Sequence, residues 1–293
     1  MDNCSYFIKN RALFGSFPSK ESVEELENNG IKYFINLTEP DEKKITPYST
    51  TQTYISYPIK DNNIPTNIVT FSSFIIYISN IVKNLNNDEK IYIHCRGGHS
   101  RSALVVACLL CYIFNLTPSQ SLEYTTKCHG TRKNMRDRWR KVSAPQNYIQ
   151  IKFVYKFFEP LKFYKYNKHN VFTYGFSNMS SYPVTTELGV FDNAQLAYQK
   201  HLNNYCEEND VLIENVNHKI LVKIMYHILK LKFNQNEDIK NKLINTGLRP
   251  LIEHIKNDDF WADGSTGEGK NFLGKILSKL RNKYYEEINF DEE

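Results

Sequence analysis

The sequence predicts two domains: an α/β domain with a central, mostly parallel sheet flanked by helices, and after it a mainly helical α+β domain. The chain has 293 residues, and at about 100–200 residues per domain this length favours two domains over one. In the first 160 residues, short apolar runs alternate with helical patterns, which is typical of an α/β layer structure. In the second half, a strand-like segment precedes long stretches with apolar residues at helical spacing.

The strands and helices of the first half are placed by their apolar runs and by the residues that bound them. Ile31 to Leu37 is an apolar run between a glycine and a threonine, which predicts a buried strand. Further strands are predicted at residues 54–59 and 91–94. Helices are predicted at residues 69–85, where the spacing is helical, and at residues 102–114, which are almost entirely apolar.

The domain boundary is predicted where this patterning breaks down. Residues 161–170 are rich in Lys, Tyr, Asn and His and show no period. We therefore place a linker at residues 163–170, between a first domain at residues 1–162 and a second at residues 171–288.

The second domain begins with a strand-like stretch, Val171 to Val184, that a glycine and a proline interrupt. Lys219 to Phe233 then predicts a helix, because isoleucine, leucine and methionine recur on one face. The lysines of this segment are expected on the opposite, solvent-facing side.

The composition excludes several classes of protein. A hydrophobic content of 41% and a charged content of 24% are ordinary for a globular chain and exclude disorder throughout. Six cysteines are too few for a disulfide scaffold, and the charged first 14 residues do not resemble a signal peptide. The longest apolar run, Ala103 to Phe114, is shorter than the roughly 20 residues of a membrane span. We expect a cytoplasmic protein with reduced cysteines and no membrane partner.

The formal net charge of +5 is unevenly distributed along the chain. Residues 1–160 hold 20 basic and 14 acidic side chains, whereas residues 161–293 hold 17 and 18. Lys127 to Lys141 alone contain seven basic residues and one acidic residue, which accounts for all of the excess in the first half. Such a segment would concentrate anionic substrates near it.

The most informative stretch is Ile93 to Ser102, with the sequence IHCRGGHSRS. Cys-x5-Arg alone is a weak signal, but here an apolar run leads into Cys95, two glycines follow, and an apolar helix begins just after Arg101. This order predicts a strand, a loop and a helix N-terminus, with backbone N–H groups converging on one point. The loop is therefore predicted to bind a phosphate group.

The side chains of this loop supply the chemistry for cleaving a phosphate monoester. Arg101 can hold two phosphoryl oxygens with its planar guanidinium group. The positive field of the loop also stabilises a thiolate at Cys95, which would attack the phosphorus atom as nucleophile. Ser102 is placed to donate a hydrogen bond to the sulfur when it leaves.

With this motif the sequence resembles the dual-specificity type of cysteine-dependent protein phosphatase, whose signature is His-Cys-x5-Arg followed by Ser or Thr. The resemblance covers roughly residues 5–160. It implies that Asp61, 34 residues before Cys95, protonates the leaving oxygen and then activates water. Many members have a glycine where this chain has a serine before the arginine. The resemblance implies further phosphate contacts from the loop: His94, Arg96, Gly97, Gly98, His99 and Ser100.

Neither a metal nor a cofactor is expected. Cys108-x2-Cys111 has the spacing of zinc ligands but lies in an apolar helix without a second ligand pair. Gly264 to Lys270 imitates a nucleotide-binding P-loop but lacks the Ser or Thr after the lysine. His94 is expected to orient Cys95 by a hydrogen bond, and His99 to point away from the loop.

The second half resembles the NADAR (YbiA-like) family, whose members bind or act on N-glycosides related to NAD and ADP-ribose. The strongest segment is Asp259 to Gly264 with the glycines after it, and shorter matches from Phe176 to Glu253 follow the family's order. A tryptophan beside an aspartate and glycines suits a pocket for a base and a ribose; a glycine-rich loop with a core tryptophan explains it equally well. The resemblance implies these pocket residues: Asn178, Asp192, Gln195, Glu253, Trp261, Asp263, Gly264 and Asn271.

One departure from that family bears directly on activity. The family carries a catalytic Glu in a Glu-x3-Gln segment, and aligned on Gln199 the corresponding residue here is Gln195. An amide cannot act as a general base or stabilise a cation as a carboxylate does. Asp192 is the nearest substitute, although its offset only roughly restores the same helix face. We expect binding of ADP-ribose or an NAD-related ligand without hydrolysis, and hydrolysis is the alternative.

Three functions remain open at this point. The leading hypothesis is a phosphatase for phosphorylated proteins, acting on tyrosine and on serine or threonine, fused to the NADAR-like domain. The second is an RNA 5′-phosphatase in which Lys127 to Lys141 bind RNA and Trp139 stacks on a base; a solvated helix face explains the same charges. The third is a non-hydrolytic ADP-ribose reader whose phosphatase half regulates a partner.

Overall fold

The computed structural model describes residues 2–164 and 172–288. The chain divides into two compact units, one formed by Met1–Phe158 with Glu286–Glu293 and the other by Glu159–Tyr285. Most of the predicted linker, residues 165–170, lies outside the described residues, as does residue 171. The division falls a few residues before the predicted boundary, because residues 161–163 form a strand that pairs within the second unit.

The first unit is built on a five-stranded sheet with the strand order β1-β2-β5-β3-β4. The strands are β1 Cys4–Ile8, β2 Ala12–Ser16, β3 Ile31–Asn36, β4 Thr53–Ser56 and β5 Lys90–Cys95. β1 is antiparallel to β2, and all other neighbours are parallel. The carboxyl ends of β2, β3 and β5 therefore meet at one edge, where ligand sites of open α/β sheets are found.

Among its described residues the first unit also has six helices: α1 Lys20–Asn28, α2 Ile68–Asn84, α3 Arg101–Phe114, α4 Pro118–Gly130, α5 Asp137–Arg140 and α6 Tyr148–Phe157. Residues 101–111 of α3 are all buried, which explains why this helix is apolar on every side. Asn67 caps the N-terminus of α2, and its side chain accepts hydrogen bonds from the backbone N–H groups of Val69 and Thr70. The predicted strands and helices of this half are present, within one to three residues at each end.

The described residues of the second unit form four short strands and four α-helices. The strands are β6 Leu161–Phe163, β7 Val184–Thr186, β8 Gly189–Phe191 and β9 Leu251–Glu253, and the helices are α7 Ala194–Asn209, α8 His218–Gln235, α9 Glu237–Ile244 and α10 Phe272–Glu286. β6 and β9 pair in parallel, and β7 and β8 form an antiparallel hairpin. The core lies between the helices and includes Met225, Ile228, Leu229 and Phe233 of α8.

Two predictions for the second unit are wrong. The stretch that the sequence predicts as a strand at residues 171–184 is irregular over residues 172–183, with turns and the 3₁₀ helix Tyr174–Phe176, and only its last residue, Val184, begins a strand. Gly175 and Pro183, which interrupt the apolar run, favour turns over a strand. Lys232, which the periodicity places on the solvent side of α8, is fully buried.

Within residues 2–164 and 172–288, no helix is both long enough and apolar enough to cross a membrane.

Candidate active site

The predicted nucleophile lies at the edge of the sheet where the parallel strands end. Cys95 is the last residue of β5, residues 96–100 form the catalytic loop, and α3 begins at Arg101. The Cys95 side chain is buried, and its Sγ lies 3.5 Å from Ser102 Oγ in the first turn of α3. The two side chains are thus placed for a hydrogen bond to the sulfur.

Gly98 is required by the path of the catalytic loop. Its φ is +71°, a region that disfavours side chains. A Cβ at this position would lie only 2.3 Å from the carbonyl carbon of Gly15 in β2. Only glycine fits at this position, because any side chain would clash with the neighbouring strand.

Arg101 is buried and held in one orientation. Its Nη1 and Nη2 donate to the two carboxylate oxygens of Glu42 at 2.6 and 2.8 Å, and Nη1 also donates to the carbonyl of Ile59 at 3.0 Å. The side chain is 1% exposed. Its Nε has no hydrogen-bond partner among the described residues. The two Nη atoms of the guanidinium group are thus held by other residues of the chain. The buried Nε–H group remains as a donor for an acceptor from a ligand.

Glu42 is a site residue that sequence reasoning missed. Burial alone would raise the pKa of its carboxyl group, but the hydrogen bonds from Arg101 and the charges of Arg101 and Arg96 outweigh that effect and lower the pKa. Its position could not be inferred from spacing, because 59 residues separate it from Arg101. The available signal was the acidic segment Glu39 to Glu42 just after β3.

Asp61 lies at the catalytic loop, where the resemblance places the general acid. Its carboxylate contacts Arg96 Nη2 at 2.7 Å and Arg101 Nη2 at 3.1 Å. Both contacts hold the segment after β4 close to the catalytic loop. Cys95, Arg101, Asp61 and Ser102 are therefore brought together by the fold.

His94 does not make the expected hydrogen bond to Cys95. Its Nε2 instead bonds to the Tyr48 hydroxyl at 2.7 Å, and its Nδ1 has no partner within residues 2–164 and 172–288. The rings of Phe17, Tyr48 and Tyr92 surround it. Burial lowers the pKa of His94 to about 3, so the imidazole is neutral. The contacts of His94 therefore fix its ring at the end of β5.

His99 belongs to a small cluster of aromatic side chains. Its Nδ1 bonds to His129 Nε2 at 2.8 Å, and its ring stacks on Trp139 with centroids 4.9 Å apart. Burial, together with the charges of Arg132 and Arg138, lowers the pKa of His99 to about 4. This cluster fixes the catalytic loop to the segment that follows α4.

The basic segment Lys127 to Lys141 is used largely for contacts within the chain. Arg132 is buried and donates to one carbonyl in β2 and one in the catalytic loop, at 3.3 and 3.1 Å. Arg140 donates to the carbonyls of residues 130 and 133, both at 2.7 Å. The Arg138 guanidinium lies 4.7 Å from the centroid of the Trp139 ring, and Lys133 pairs with Asp2. Four of its seven basic side chains thus have partners.

In the second unit, the predicted pocket residues Asn178 and Gln195 are in direct contact. The Asn178 side-chain amide donates to Gln195 Oε1, and the Gln195 backbone N–H donates to the Asn178 carbonyl at 2.9 Å. Asp192, two residues before α7, is exposed and has no hydrogen bond or ion pair within the described part of the chain. It therefore does not replace the missing carboxylate through contact with this pair.

The other predicted pocket residues lie around β9 and the loop after it. Asn271 accepts from the backbone N–H of Glu253 at 3.0 Å, and the Asp263 carboxylate contacts His254 Nδ1 at 2.8 Å. Trp261 packs edge-to-face on Tyr198 of α7, with centroids 5.6 Å apart. A positive φ of +68° at the next glycine, Gly264, turns the loop.

Lys232 is a second residue that sequence reasoning missed. Its Nζ donates to the carbonyls of Gly175 and Ser177, both at 2.7 Å, and to Ser180 Oγ at 2.8 Å. Burial lowers the pKa of Lys232 to about 7, against an opposing effect of Glu253. Its three hydrogen bonds fix the turn that carries Asn178, one of the predicted pocket residues.

No group of three or more His, Cys, Asp or Glu side chains in the described regions could hold a metal ion. Cys108 and Cys111 are both buried in α3, and Cys111 bonds to Ser121 at 3.1 Å. Burial raises the pKa of both thiols. They serve as packing residues of an apolar helix.

Comparison with known proteins gives the same division of the chain. Residues 13–150 match the catalytic domain of dual specificity phosphatases, and residues 195–284 match the NADAR domain. Protein 197R of Invertebrate iridescent virus 6, which bears the name tyrosine phosphatase, is 32% identical over 301 residues that cover 97% of this chain and 96% of its own. The chain belongs to the dual-specificity-type cysteine phosphatases that carry a NADAR domain.

Other relatives match one domain at a time. Protein 067L of Invertebrate iridescent virus 3, also named as a tyrosine phosphatase, is 41% identical over 160 residues, 54% of this chain and 66% of its own. The N-glycosidase YbiA of Shigella boydii is 41% identical over 59 residues, 20% of this chain and 37% of its own. The protein is therefore a cysteine-dependent phosphatase with a C-terminal NADAR domain.

Solved structures align with the same two parts. Tk-PTP, in its active form, has a TM-score of 0.40 and 19% identity, covering 52% of this chain and 96% of its own. The E. coli protein YbiA has a TM-score of 0.36 and 24% identity, covering 44% of this chain and 88% of its own.

Proposed function

We propose that the phosphatase domain hydrolyses phosphate monoesters on tyrosine and on serine or threonine of proteins through a phosphocysteine intermediate. The observation that carries this proposal is the state of Arg101. Its guanidinium group is buried and held at one end by Glu42, and its Nε donor has no partner in the described chain. A buried donor of this kind is costly unless an acceptor bonds to it, and a phosphoryl oxygen is such an acceptor.

The first half-reaction transfers the phosphoryl group to Cys95. The thiolate sulfur attacks phosphorus, the bond between phosphorus and the ester oxygen breaks, and protonated Asp61 gives its proton to that oxygen. Arg101 and the N–H groups of the catalytic loop hold the remaining phosphoryl oxygens. The contacts of Asp61 with Arg96 and Arg101 place its carboxyl group at the catalytic loop.

The second half-reaction releases inorganic phosphate. Asp61, now a carboxylate, takes a proton from water as the water oxygen attacks phosphorus, and the sulfur–phosphorus bond breaks. The departing thiolate accepts a hydrogen bond from Ser102, whose Oγ lies 3.5 Å from Sγ. The nucleophile is thereby regenerated.

A protein substrate is favoured over RNA by the contacts of the basic segment. Arg132, Arg138 and Arg140 are already engaged within the chain, and Trp139 stacks on His99. An RNA site would need free cations and a free ring face in this segment. The names of the two viral relatives also point to tyrosine phosphate.

A substrate panel tests this proposal. Release of inorganic phosphate is measured from phosphotyrosine, phosphoserine and phosphothreonine peptides and from 5′-phosphorylated RNA, with wild type and Cys95→Ser. We expect turnover of the peptides that is lost in Cys95→Ser. Faster turnover of the RNA, with a steep loss as salt rises, would replace the protein substrate with a nucleic acid.

We propose further that the NADAR domain binds ADP-ribose or a related nucleotide without hydrolysing an N-glycosidic bond. The supporting observation is the amide pair of Asn178 and Gln195 at the position of the family's glutamate. Neither side chain can take a proton from water or offset a developing positive charge. Isothermal calorimetry with ADP-ribose should show binding, while no ribose is released from NAD-related N-glycosides. Hydrolysis that is lost in Gln195→Ala would contradict this assignment.

We also propose that the enzyme works in a reducing compartment. All six cysteines are unpaired, and the nucleophile must remain a thiol or thiolate. Recovery of activity by a thiol reductant after mild oxidation would support this placement, whereas full activity under sustained oxidation would contradict it.

A further inference from the structure

The second unit carries an open groove, of about 400 Å³, lined by α8 and α10. Its floor is apolar and consists of Val222 and Tyr226 from α8 and Phe272 and Ile276 from α10. An apolar floor of this kind loses contact with water when a partner's side chains fill it. The floor by itself does not indicate which partner that is.

The rim of the groove is formed by lysines on both helices, and we call the whole feature the lysine groove. Lys219 and Lys223 lie on α8, and Lys275 and Lys279 lie on α10; all four are exposed. Each pair is spaced by four residues, which places its side chains on the same face of the helix, about 5–6 Å apart at Cβ. Lys283, one turn further along α10, has its Nζ 5.7 Å from the centroid of the Tyr226 ring. No carboxylate is among the described residues that line the groove.

These five lysines differ from others in the same unit because their charges are not matched by acidic side chains. Lys240 and Lys242 pair with Glu237 and Asp238 on their own helix. The lysines of the groove form no ion pair within the regions that the structure describes. The three lysines of α10 have their Nζ atoms near aromatic rings instead, as with Lys275, whose Nζ lies 5.3 Å from the centroid of the Phe272 ring. The groove is therefore strongly positive, although residues 161–293 hold 17 basic and 18 acidic side chains.

We propose that the lysine groove is the docking site for an acidic amphipathic helix of a partner protein. A helix laid between α8 and α10 would insert its apolar stripe into the floor and present carboxylates to the lysines on both sides. Glutamates spaced by three or four residues match the spacing of the lysines. The two rows of lysines and the apolar floor thus select the same kind of ligand.

A polyanion alone fits the groove less well. Phosphate groups of a nucleic acid or a lipid surface would engage the lysines but would gain little from an aliphatic and aromatic floor. An acidic helix uses both parts of the surface, since burial of its apolar residues adds to the charge attraction. All residues that line the lysine groove belong to the second unit.

The test uses the full chain and a synthetic probe. The probe is a capped, fluorescent peptide of about five helical turns, with leucine on one face and glutamate along both of its flanks. Fluorescence anisotropy should show binding that weakens as salt rises. Lys219→Glu/Lys275→Glu should raise Kd by about tenfold or more, because attraction is replaced by repulsion on both sides of the groove. Lys219→Gln/Lys275→Gln should give an intermediate Kd.

The matched control makes the same change in charge away from the groove. Lys200→Glu/Lys256→Glu replaces two exposed lysines that do not line it, and it should bind as wild type does. Circular dichroism checks that each variant is folded. Equal Kd values for the groove and control variants would overturn the proposal, as would a failure of the glutamate peptide to bind better than one carrying lysine at the same positions. Tighter binding of oligothymidylate or of phosphatidylserine vesicles, lost in the groove variant, would overturn it in favour of a polyanion.

Discussion

Replacing Glu42 with glutamine should reduce both the stability and the activity of the phosphatase domain. In Glu42→Gln the side chain keeps its shape, but one of the two oxygens that accept from Arg101 becomes an NH₂ group that faces a donor. Because Arg101 is buried, it cannot turn to water instead. Removing one partner of a buried ion pair costs about 3–5 kcal/mol. Asp61 and the carbonyl of Ile59 still contact the guanidinium group, so we expect the lower end, about 3 kcal/mol.

The effect on catalysis follows from the same geometry. Once Glu42 no longer fixes its end, the guanidinium group shifts, and a displacement of about 1 Å at a positioning group costs roughly 100-fold in rate. We therefore expect kcat/KM for p-nitrophenyl phosphate to fall by about that factor, with weaker inhibition by inorganic phosphate. Urea unfolding gives the change in the free energy of unfolding.

The control for this prediction is Asp41→Asn, which makes the same change in charge one residue away, at an exposed side chain. It should leave both stability and kcat/KM close to wild type, since surface changes usually stay within about 0.5 kcal/mol. If Glu42→Gln behaves like Asp41→Asn, the Glu42 carboxylate does not position Arg101.

Three further predictions concern other parts of the molecule. Gly98→Ala should inactivate the enzyme and destabilise the first unit by more than about 2 kcal/mol, because the new Cβ would lie 2.3 Å from the backbone of β2. The control Gly130→Ala should be tolerated, because no atom lies within 4 Å of its Cβ position. Equal melting curves for the two variants would contradict this prediction. The pKa of His99 is lowered to about 4, so the folded state binds fewer protons than the unfolded state between about pH 6.5 and 4. Stability should fall as the pH falls through that window, and His99→Gln should flatten the slope. The pKa of Lys232 is lowered to about 7, so between about pH 7 and 10.5 the unfolded state holds more protons and this group's contribution to stability rises with pH. Lys232→Met should be less stable and lose that rise, and an unchanged pH profile would count against it.

The contiguous part of the active site was predictable from the sequence because the residues that form it are neighbours along the chain. The run from Cys95 to Ser102 contains the strand end, the loop and the helix start, so order along the chain alone indicates a phosphate site. The strands β3, β4 and β5 were predicted on equally local grounds, since each is a short apolar run bounded by polar or turn residues. The role of Asp61 was predicted from the resemblance to the phosphatase family. Its carboxylate lies at the catalytic loop, where it contacts Arg96 and Arg101.

The residues that were missed are those whose role depends on distant partners. Glu42 meets Arg101 across 59 positions, and no pattern of spacing encodes that contact. Lys232 has the periodicity of a solvent-facing residue, yet three acceptors from the turn at residues 175–180 allow it to be buried. His94 was expected to bond to its neighbour Cys95, but the hydroxyl of Tyr48 provides a partner that only the fold brings near.

Cys95 is expected to carry the phosphoryl group during turnover. Ser102→Ala should slow the release of that group by about 10–100-fold, the loss expected for a hydrogen bond to a charged sulfur, so that the intermediate accumulates. Acid quenching of this variant during turnover of a ³²P-labelled phosphotyrosine peptide should yield labelled protein, with the label mapping to the peptide that contains Cys95. Cys95→Ser should remain unlabelled and inactive. Turnover without labelled protein, or label on any residue other than Cys95, would contradict the phosphocysteine mechanism.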